Sequence, residues 1–470
     1  MVIFKRNIKD LMIFTKNIII PVLRPEFIFV VMALSAGLFL VFANGPFQAP
    51  DEPSHFYRAY QISEGRFFSE RIGNEAGGEL PTAIHDSKLP FKNSAFHSEI
   101  RIRKEFLSSE LQKPLNEQER IFVSFPNTAL NFPLGYFPQA IGIYAARQGG
   151  LSPLKMMYAG RMMNLLCWIV LMYAAIRMTP VFKWVMVLAG LMPMNLYLAA
   201  TLSADAMINA CAVLFIGLVL NERFKDKELM TMGKRAGIGV IAIALSIMKL
   251  VYAPIAALIM MVPESSFGSN RKRVVYVFSV LGLSLLAVLL WAFEIRRVYV
   301  PLNGSDMSLQ LAGIFADPWK FLSLLANSIQ EQGKGYFHSF IGVLGWLDTW
   351  LPHWIYVTFF PVIVATSLLE PPYKNRVFYL WEKATLVIVC LLSFFLICVS
   401  QYLVWTKAGA LMIEGVQGRY FIPLLVPVML VFLNRRVPLK INLLTGGIVT
   451  VYSALMIRAT CLAVYTRYYG

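Results

Sequence analysis

Residues 46–66 read Pro-Phe-Gln-Ala-Pro-Asp-Glu-Pro-Ser-His-Phe-Tyr-Arg-Ala-Tyr-Gln-Ile-Ser-Glu-Gly-Arg, directly after the first long apolar run. Two adjacent carboxylates, Asp51 and Glu52, stand there beside Pro53. Proline suits the first turn of a helix, so Asp51 is expected to cap a helix that begins at this point. Asp51, His55 and Arg58 then fall at i, i+4 and i+7, on one helical face. A carboxylate, an imidazole and a guanidinium on one surface can deprotonate a nucleophile and hold an anion. The same three residues also make an ordinary capped helix with solvated charges. Either carboxylate can serve as the base, because neighbours on a helix point about 100° apart and only one faces a given surface.

Four further stretches carry polar groups at the edges of apolar runs. Asp205, in Thr201-Leu-Ser-Ala-Asp-Ala-Met207, is either a helix cap or a second site acid. Lys249, in Ser246-Ile-Met-Lys-Leu-Val-Tyr-Ala-Pro254, is a charge inside an apolar run; it either serves a site or snorkels to an interface. Gly345-Trp-Leu-Asp-Thr-Trp-Leu-Pro352 brings Asp348 next to Trp346 and Trp350, which can also be interface anchors. Gln417-Gly-Arg-Tyr-Phe-Ile-Pro423 sets Arg419 between Gln417 and Tyr420, with Gly418 admitting close approach. Carboxylates near Lys, Arg and a helix start make a pattern suited to group transfer: a base for the nucleophile, cations for an anionic leaving group. The five histidines, His55, His85, His97, His338 and His353, lack zinc-binding spacing, so no metal ligands are assigned. A divalent cation between Asp51 and Asp205 is compatible with the residue types but not required by them.

The elements that must position these groups are apolar. Of the 470 residues, 57% are hydrophobic and 15% charged, the composition of a multi-pass membrane protein. The +16 net charge therefore points to membrane lipid at loops facing the cytoplasm and not to nucleic acid. The five cysteines lie inside apolar segments, so no disulfide framework is expected. The pattern predicts an all-α polytopic protein: a cytoplasmic N-terminal segment over 1–26, with an interfacial helix in it, and one transmembrane domain over 27–470. About eleven spans are expected, at 27–43, 156–177, 184–200, 206–221, 236–248, 253–263, 273–293, 353–369, 384–404, 420–433 and 440–463. The two short ones, 236–248 and 253–263, read as half-helices meeting at a break near Lys249. A large extracytoplasmic loop is expected over 44–155, ending in an interfacial helix near 131–147, and a second outer region over 294–352. Loops assigned to the cytoplasm by parity, including those with Lys227, Lys374, Arg376, Arg435 and Arg436, carry the Lys and Arg excess.

Ala49-Pro-Asp-Glu-Pro-Ser-His55, Asn131-Phe-Pro-Leu-Gly-Tyr-Phe-Pro138, Gly345-Trp-Leu-Asp-Thr349 and Gln417-Gly-Arg-Tyr-Phe421 together resemble a bacterial family of predicted multi-pass membrane proteins of unknown function. Their order is similar to that of the GT-C glycosyltransferases, which include protein mannosyltransferases and lipid A aminoarabinose transferases. That resemblance implies a GT-C-like bundle in the bacterial inner (cytoplasmic) membrane with its active site on the extracytoplasmic face. It implies a polyprenyl-phosphate-sugar donor and a glycan or lipid acceptor, as in surface polysaccharide or O-antigen decoration. Asp51 matches the catalytic base, Asp205 the second outer acid and Lys249 a phosphate-contacting lysine. Arg419 would be a further phosphate ligand. The glycine that commonly follows the lysine is replaced here by Leu250 and Val251. The expected activity is an inverting hexosyl transfer. Asp51, Glu52 and His55 are the catalytic candidates; Lys249, Arg419 and Arg58 hold the donor phosphate; Asp205, Trp346, Asp348, Gln417 and Tyr420 line the substrate site. The alternatives are a flippase of lipid-linked glycans, which calls for polar residues at mid-membrane in two related halves, and an O-antigen polymerase or ligase using a lipid-pyrophosphate donor.

Overall fold

The computed structural model describes residues 24–226, 228–370, 378–433 and 442–470. Most of the expected N-terminal segment, with its interfacial helix, lies outside them, as do Lys227, Lys374, Arg376, Arg435 and Arg436. The chain is mostly helical with few strands.

Helix α1, Pro25–Ala43, starts on a proline at its first turn, where the missing N–H is not needed. It leads into α2, Glu52–Ser63. A small antiparallel sheet follows, in the order β1 (Glu70–Ile72), β2 (Glu75–Pro81), β3 (Arg120–Ser124). Gly77 sits where a Cβ would lie 1.8 Å from the Val123 carbonyl oxygen, so only glycine lets β2 and β3 close up. The apolar stretch after Asn131 folds as a short turn, Pro133–Tyr136, and a twelve-residue helix α3, Phe137–Gln148. One face of α3 buries Ala140 and Ile143 against α4, Pro153–Met178, while Phe137, Ile141 and Tyr144 are exposed. That split suits a helix lying at an interface and not crossing it.

Among the described residues, six helices are long and apolar enough to cross a membrane: α1, α4, and the helices over Asp205–Phe224, Asn270–Ile295, Leu380–Val404 and Thr445–Tyr469. The other expected spans are shorter or broken. Residues 184–200 form α5, Lys183–Leu191, and α6, Pro193–Ala199, interrupted at Met192 because Pro193 cannot donate into a continuing helix. After α7, Asp205–Phe224, comes α8, Met232–Met248, which stops at Lys249 in an extended conformation. A 3₁₀ stretch over Leu250–Met261 continues the path, so the break at the lysine is real. Then follow α9 (Asn270–Ile295), α10 (Met307–Ala316) and α11 (Pro318–Ile341). Strands β4 (Val343–Leu344) and β5 (Thr349–Trp350) pair as a hairpin before α12, His353–Leu369. The region over 294–352, expected to lie outside, is thus largely helical. The chain closes with α13 (Leu380–Val404), a 3₁₀ turn over Gly418–Leu424, α14 (Leu425–Val431) and α15 (Asn442–Tyr469).

The core runs between α1, α4, α5, α6 and α7, whose facing side chains are almost wholly buried. On the outside, α9 exposes Phe278, Leu285, Leu289 and Leu290. An apolar rim around a packed core is the pattern of a helix bundle solvated by lipid.

Candidate active site

Asp51 sits with φ at +60° and ψ at 11°, the left-handed region that non-glycine residues seldom occupy. Aspartate tolerates it better than most. The expected side-chain cap on α2 is not formed, because this backbone turns the carboxylate away from its own helix. Its Oδ1 accepts from Asn127 Nδ2 at 3.0 Å, and its Oδ2 accepts from Arg419 Nη2 at 3.0 Å. The Asp51 side chain keeps 34% exposure, while Arg419 keeps 4%.

Arg419 is delivered by the 3₁₀ turn. The Gly418 amide donates to Ser339 Oγ on α11 at 2.9 Å, and a Cβ on Gly418 would lie 2.1 Å from the Phe340 nitrogen and the Tyr336 oxygen. Backbone therefore touches backbone here, and the guanidinium emerges beside two carboxylates. Its Nε is 3.8 Å from Asp205 Oδ2. Asp205 opens α7 as a first-turn residue, not as its cap, and its Oδ1 accepts from Lys249 Nζ at 3.0 Å. Lys249 Nζ also stands 4.3 Å from the centre of the Tyr420 ring, a cation–π contact. Tyr252 fixes that turn by donating to the Tyr420 carbonyl at 2.7 Å. Asp51, Arg419, Asp205 and Lys249 thus form one chain of alternating charge, built from four separate elements.

Two donors of Arg419, Nε and Nη1, are buried without a hydrogen-bond partner among the described residues, as is the Gln417 Oε1 acceptor next to it. Buried guanidinium N–H groups left unpaired are costly, and a planar fork of this kind suits a phosphate or carboxylate. His55 lies against the same cluster. Its Nδ1 is 2.8 Å from the Tyr136 hydroxyl, which also accepts from Asn131 Nδ2 at 2.9 Å. Burial pushes the His55 imidazole down to about 4, against the opposing pull of the nearby Asp51 carboxylate. His55 is therefore neutral at ordinary pH. Among the described residues, no group of three or more His, Cys, Asp or Glu side chains is placed to hold a metal ion, and Arg419 lies between Asp51 and Asp205.

The structure does not bring the remaining sequence candidates into this cluster. Glu52 is fully buried and receives Arg161 Nε at 2.8 Å and Nη2 at 2.5 Å, together with the Leu202 amide at 3.2 Å. Arg161 also donates to the carbonyls of Val41, Asn44 and Gly45. With its oxygens taken by structural donors, Glu52 is a staple between α1, α2 and α4 and has no access to a substrate proton. Arg58 is likewise buried, donating to Gln61, Ser69 and the carbonyls of Phe67 and Asn131, so it holds a loop instead of a ligand. Asp348 is bound by Arg467 of α15 at 2.8 Å, and Arg467 also grips the carbonyls of Ser94, His97 and Ile100. Trp346 donates to the Phe47 carbonyl and packs on Phe96. These two belong to a separate clasp that ties α15 to the segment connecting β2 and β3.

Sequence reasoning missed Asn127, Tyr136, Asn131 and Tyr252 as site residues. Asn131 and Tyr136 lie within the Asn131–Pro138 stretch, and Tyr252 sits three residues after Lys249, so a local signal existed for them. Asn127 has none. Residues 34–428 match the model of a family described as "Predicted membrane protein (DUF2142)". No curated protein and no solved structure matches the chain.

Proposed function

The chain belongs to this family of predicted membrane proteins, and on that footing we propose that it is an integral-membrane, inverting glycosyltransferase using a polyprenyl-phosphate-sugar donor. The observation that carries the reading is the buried Arg419 guanidinium, set between the carboxylates of Asp51 and Asp205, with Nε and Nη1 making no hydrogen bond among the described residues. The donor phosphate is the anion that fits it. A phosphate bound bidentately uses Nη2 together with the free Nη1, so Asp51 Oδ2 gives up its guanidinium partner and becomes free to accept a proton. Asp51 removes that proton from an acceptor hydroxyl. The oxygen then attacks the anomeric carbon in line, and the bond from that carbon to the phosphate oxygen breaks. Polyprenyl phosphate leaves against Arg419 and Lys249, which stabilise the charge developing on it. Asp205 holds Lys249 and Arg419 in place, Tyr420 supports Lys249, and Asn127 keeps the Asp51 carboxylate aimed. Lys and Arg excess in the loops opposite the site supports an extracytoplasmic active face in a cytoplasmic membrane.

The test compares envelope glycans by mass in cells with the wild-type gene, without it, and with Asp51→Asn or Arg419→Ala. Loss of a side-branch hexose without the gene and with Asp51→Asn, at unchanged membrane protein level, is the expected result. Arg419→Ala is expected to raise the apparent donor KM at least tenfold in membranes. Transfer at near wild-type rate by Asp51→Asn would remove Asp51 as base. Accumulation of intact lipid-linked glycan on the cytoplasmic leaflet would replace transfer by flipping.

A further inference from the structure

Helix α11 presents two different faces. Tyr336 and Ser339 hold the Gly418 turn, with the Ser339 hydroxyl accepting the Gly418 amide. Phe337 and His338 turn instead towards α12, where Phe337 stacks on Phe360 at 5.5 Å and His338 meets Tyr356 at 4.8 Å. Between α11 and α12 opens a groove of about 600 Å³. Its wall is apolar, formed by Phe337, Val357, Phe360 and Pro361. It follows α12 from His353 to Pro361, about two helical turns. The polar side chains that line it are Lys334, His338, His353 and Tyr356, with no carboxylate; the Tyr356 hydroxyl is taken up by the Leu351 amide and the Gly342 carbonyl. Lys334 has no ion pair among the described residues.

We propose that this groove holds one anionic phospholipid, independent of the chemistry at Asp51. An acyl chain lies along Phe337, Val357 and Phe360, and the phosphate is held by Lys334. The apolar lining and the half-exposed Val357 and Phe337 mark a lipid-facing slot and not a pocket for a soluble ligand. An unpaired ammonium on such a wall, with two imidazoles and no acid, calls for an anionic head group. The occupant is a bilayer phospholipid and not the sugar donor, because α11 stands between the groove and the Gly418 turn that carries Arg419. A lipid seated there buttresses the helix that positions Arg419.

Native mass spectrometry of the full chain in detergent tests this, with phosphatidylglycerol, phosphatidylcholine or a polyprenyl phosphate added. The variants are Lys334→Gln, which changes an exposed residue, and Val357→Trp, which fills the groove; both are checked for monodisperse elution. One retained phosphatidylglycerol per chain, at least tenfold over phosphatidylcholine and reduced at least tenfold in Lys334→Gln, is expected. Val357→Trp should lose the adduct equally. Equal retention of the two phospholipids, or an adduct that survives Lys334→Gln, overturns the proposal. So does displacement of phosphatidylglycerol by polyprenyl phosphate in a Lys334-dependent way, which would make the groove a donor site.

Discussion

At the scale of single residues, the backbone at Asp51 decides what the paired carboxylates do. A positive φ at Asp51 sends its side chain to Arg419 and Asn127, while Glu52, one residue on, points into the protein at Arg161. The sequence makes both acids visible but not this division, because a left-handed residue leaves no periodic signature. The neighbouring His55 makes the electrostatics measurable. Its imidazole is held down to about 4, from an ordinary value of 6.5, by burial first and by Arg419 in addition. Between those pH values the unfolded chain binds a proton that the folded chain refuses. The stability tied to a neutral His55 is therefore complete above about pH 6.5 and is lost as pH falls towards 4, by at most about 3 kcal/mol. His55→Gln, which keeps a polar group against Tyr136, should flatten this dependence. Thermal unfolding in detergent at pH 7.5 and 4.5 checks it: the wild type is expected to lose more of its Tm than the variant. Parallel losses would show that the acid sensitivity comes from other groups.

At the scale of elements, the site depends on interruptions in helices. Lys249 stands where α8 ends in an extended residue, and Arg419 rides a 3₁₀ turn. A regular helix would have wrapped these side chains around its own axis; the breaks let them meet over Asp205. The pair of short spans made the first break legible, because neither is long enough to cross alone. The second was less so: residues 420–433 read as one span, whereas the chain forms a tight turn and then the short α14. What fixes that turn is a contact between elements, the Gly418 backbone against α11, and no local pattern encodes it. Gly418→Ala tests the dependence directly. Its methyl would meet the Phe340 nitrogen and the Tyr336 oxygen at 2.1 Å, and backbone atoms cannot step aside as a flexible side chain does. The expected cost is about 2–4 kcal/mol in overpacking, seen as a lower Tm, with a further drop in donor affinity as Arg419 moves. An unchanged Tm would mean that α11 and the turn separate easily.

At the scale of the whole molecule, the apolar runs were legible because composition alone marks them, and the six long helices fall on runs visible in the sequence. Pairings such as Arg161 with Glu52 or Arg467 with Asp348 were not, since their partners lie 109 and 119 residues apart. The runs also set which ends of the helices share a side. The ends of α1 and α13 and the starts of α4, α7 and α12 lie on the Asp51 side of the bundle, by alternation of consecutive helices. The opposite side carries short connections with Arg177, Lys183, Arg223, Lys225, Lys234, Arg235, Arg271 and Lys272. Short basic loops stay in the cytoplasm, whereas the long segment after α1 crosses largely regardless of its charge. The Asp51 side is therefore expected to face outward. Two exposed positions test it: Ser98, in the segment connecting β2 and β3, and Asn270, at the start of α9. In intact cells a membrane-impermeant maleimide should modify Ser98→Cys and leave Asn270→Cys unlabelled until the membrane is permeabilised. The five native cysteines sit in apolar helices and give the background in the unmodified chain. Labelling of Asn270→Cys alone in intact cells would invert the protein and place Asp51 and Arg419 where soluble nucleotide sugars are available, which would remove the physical reason for a lipid-linked donor.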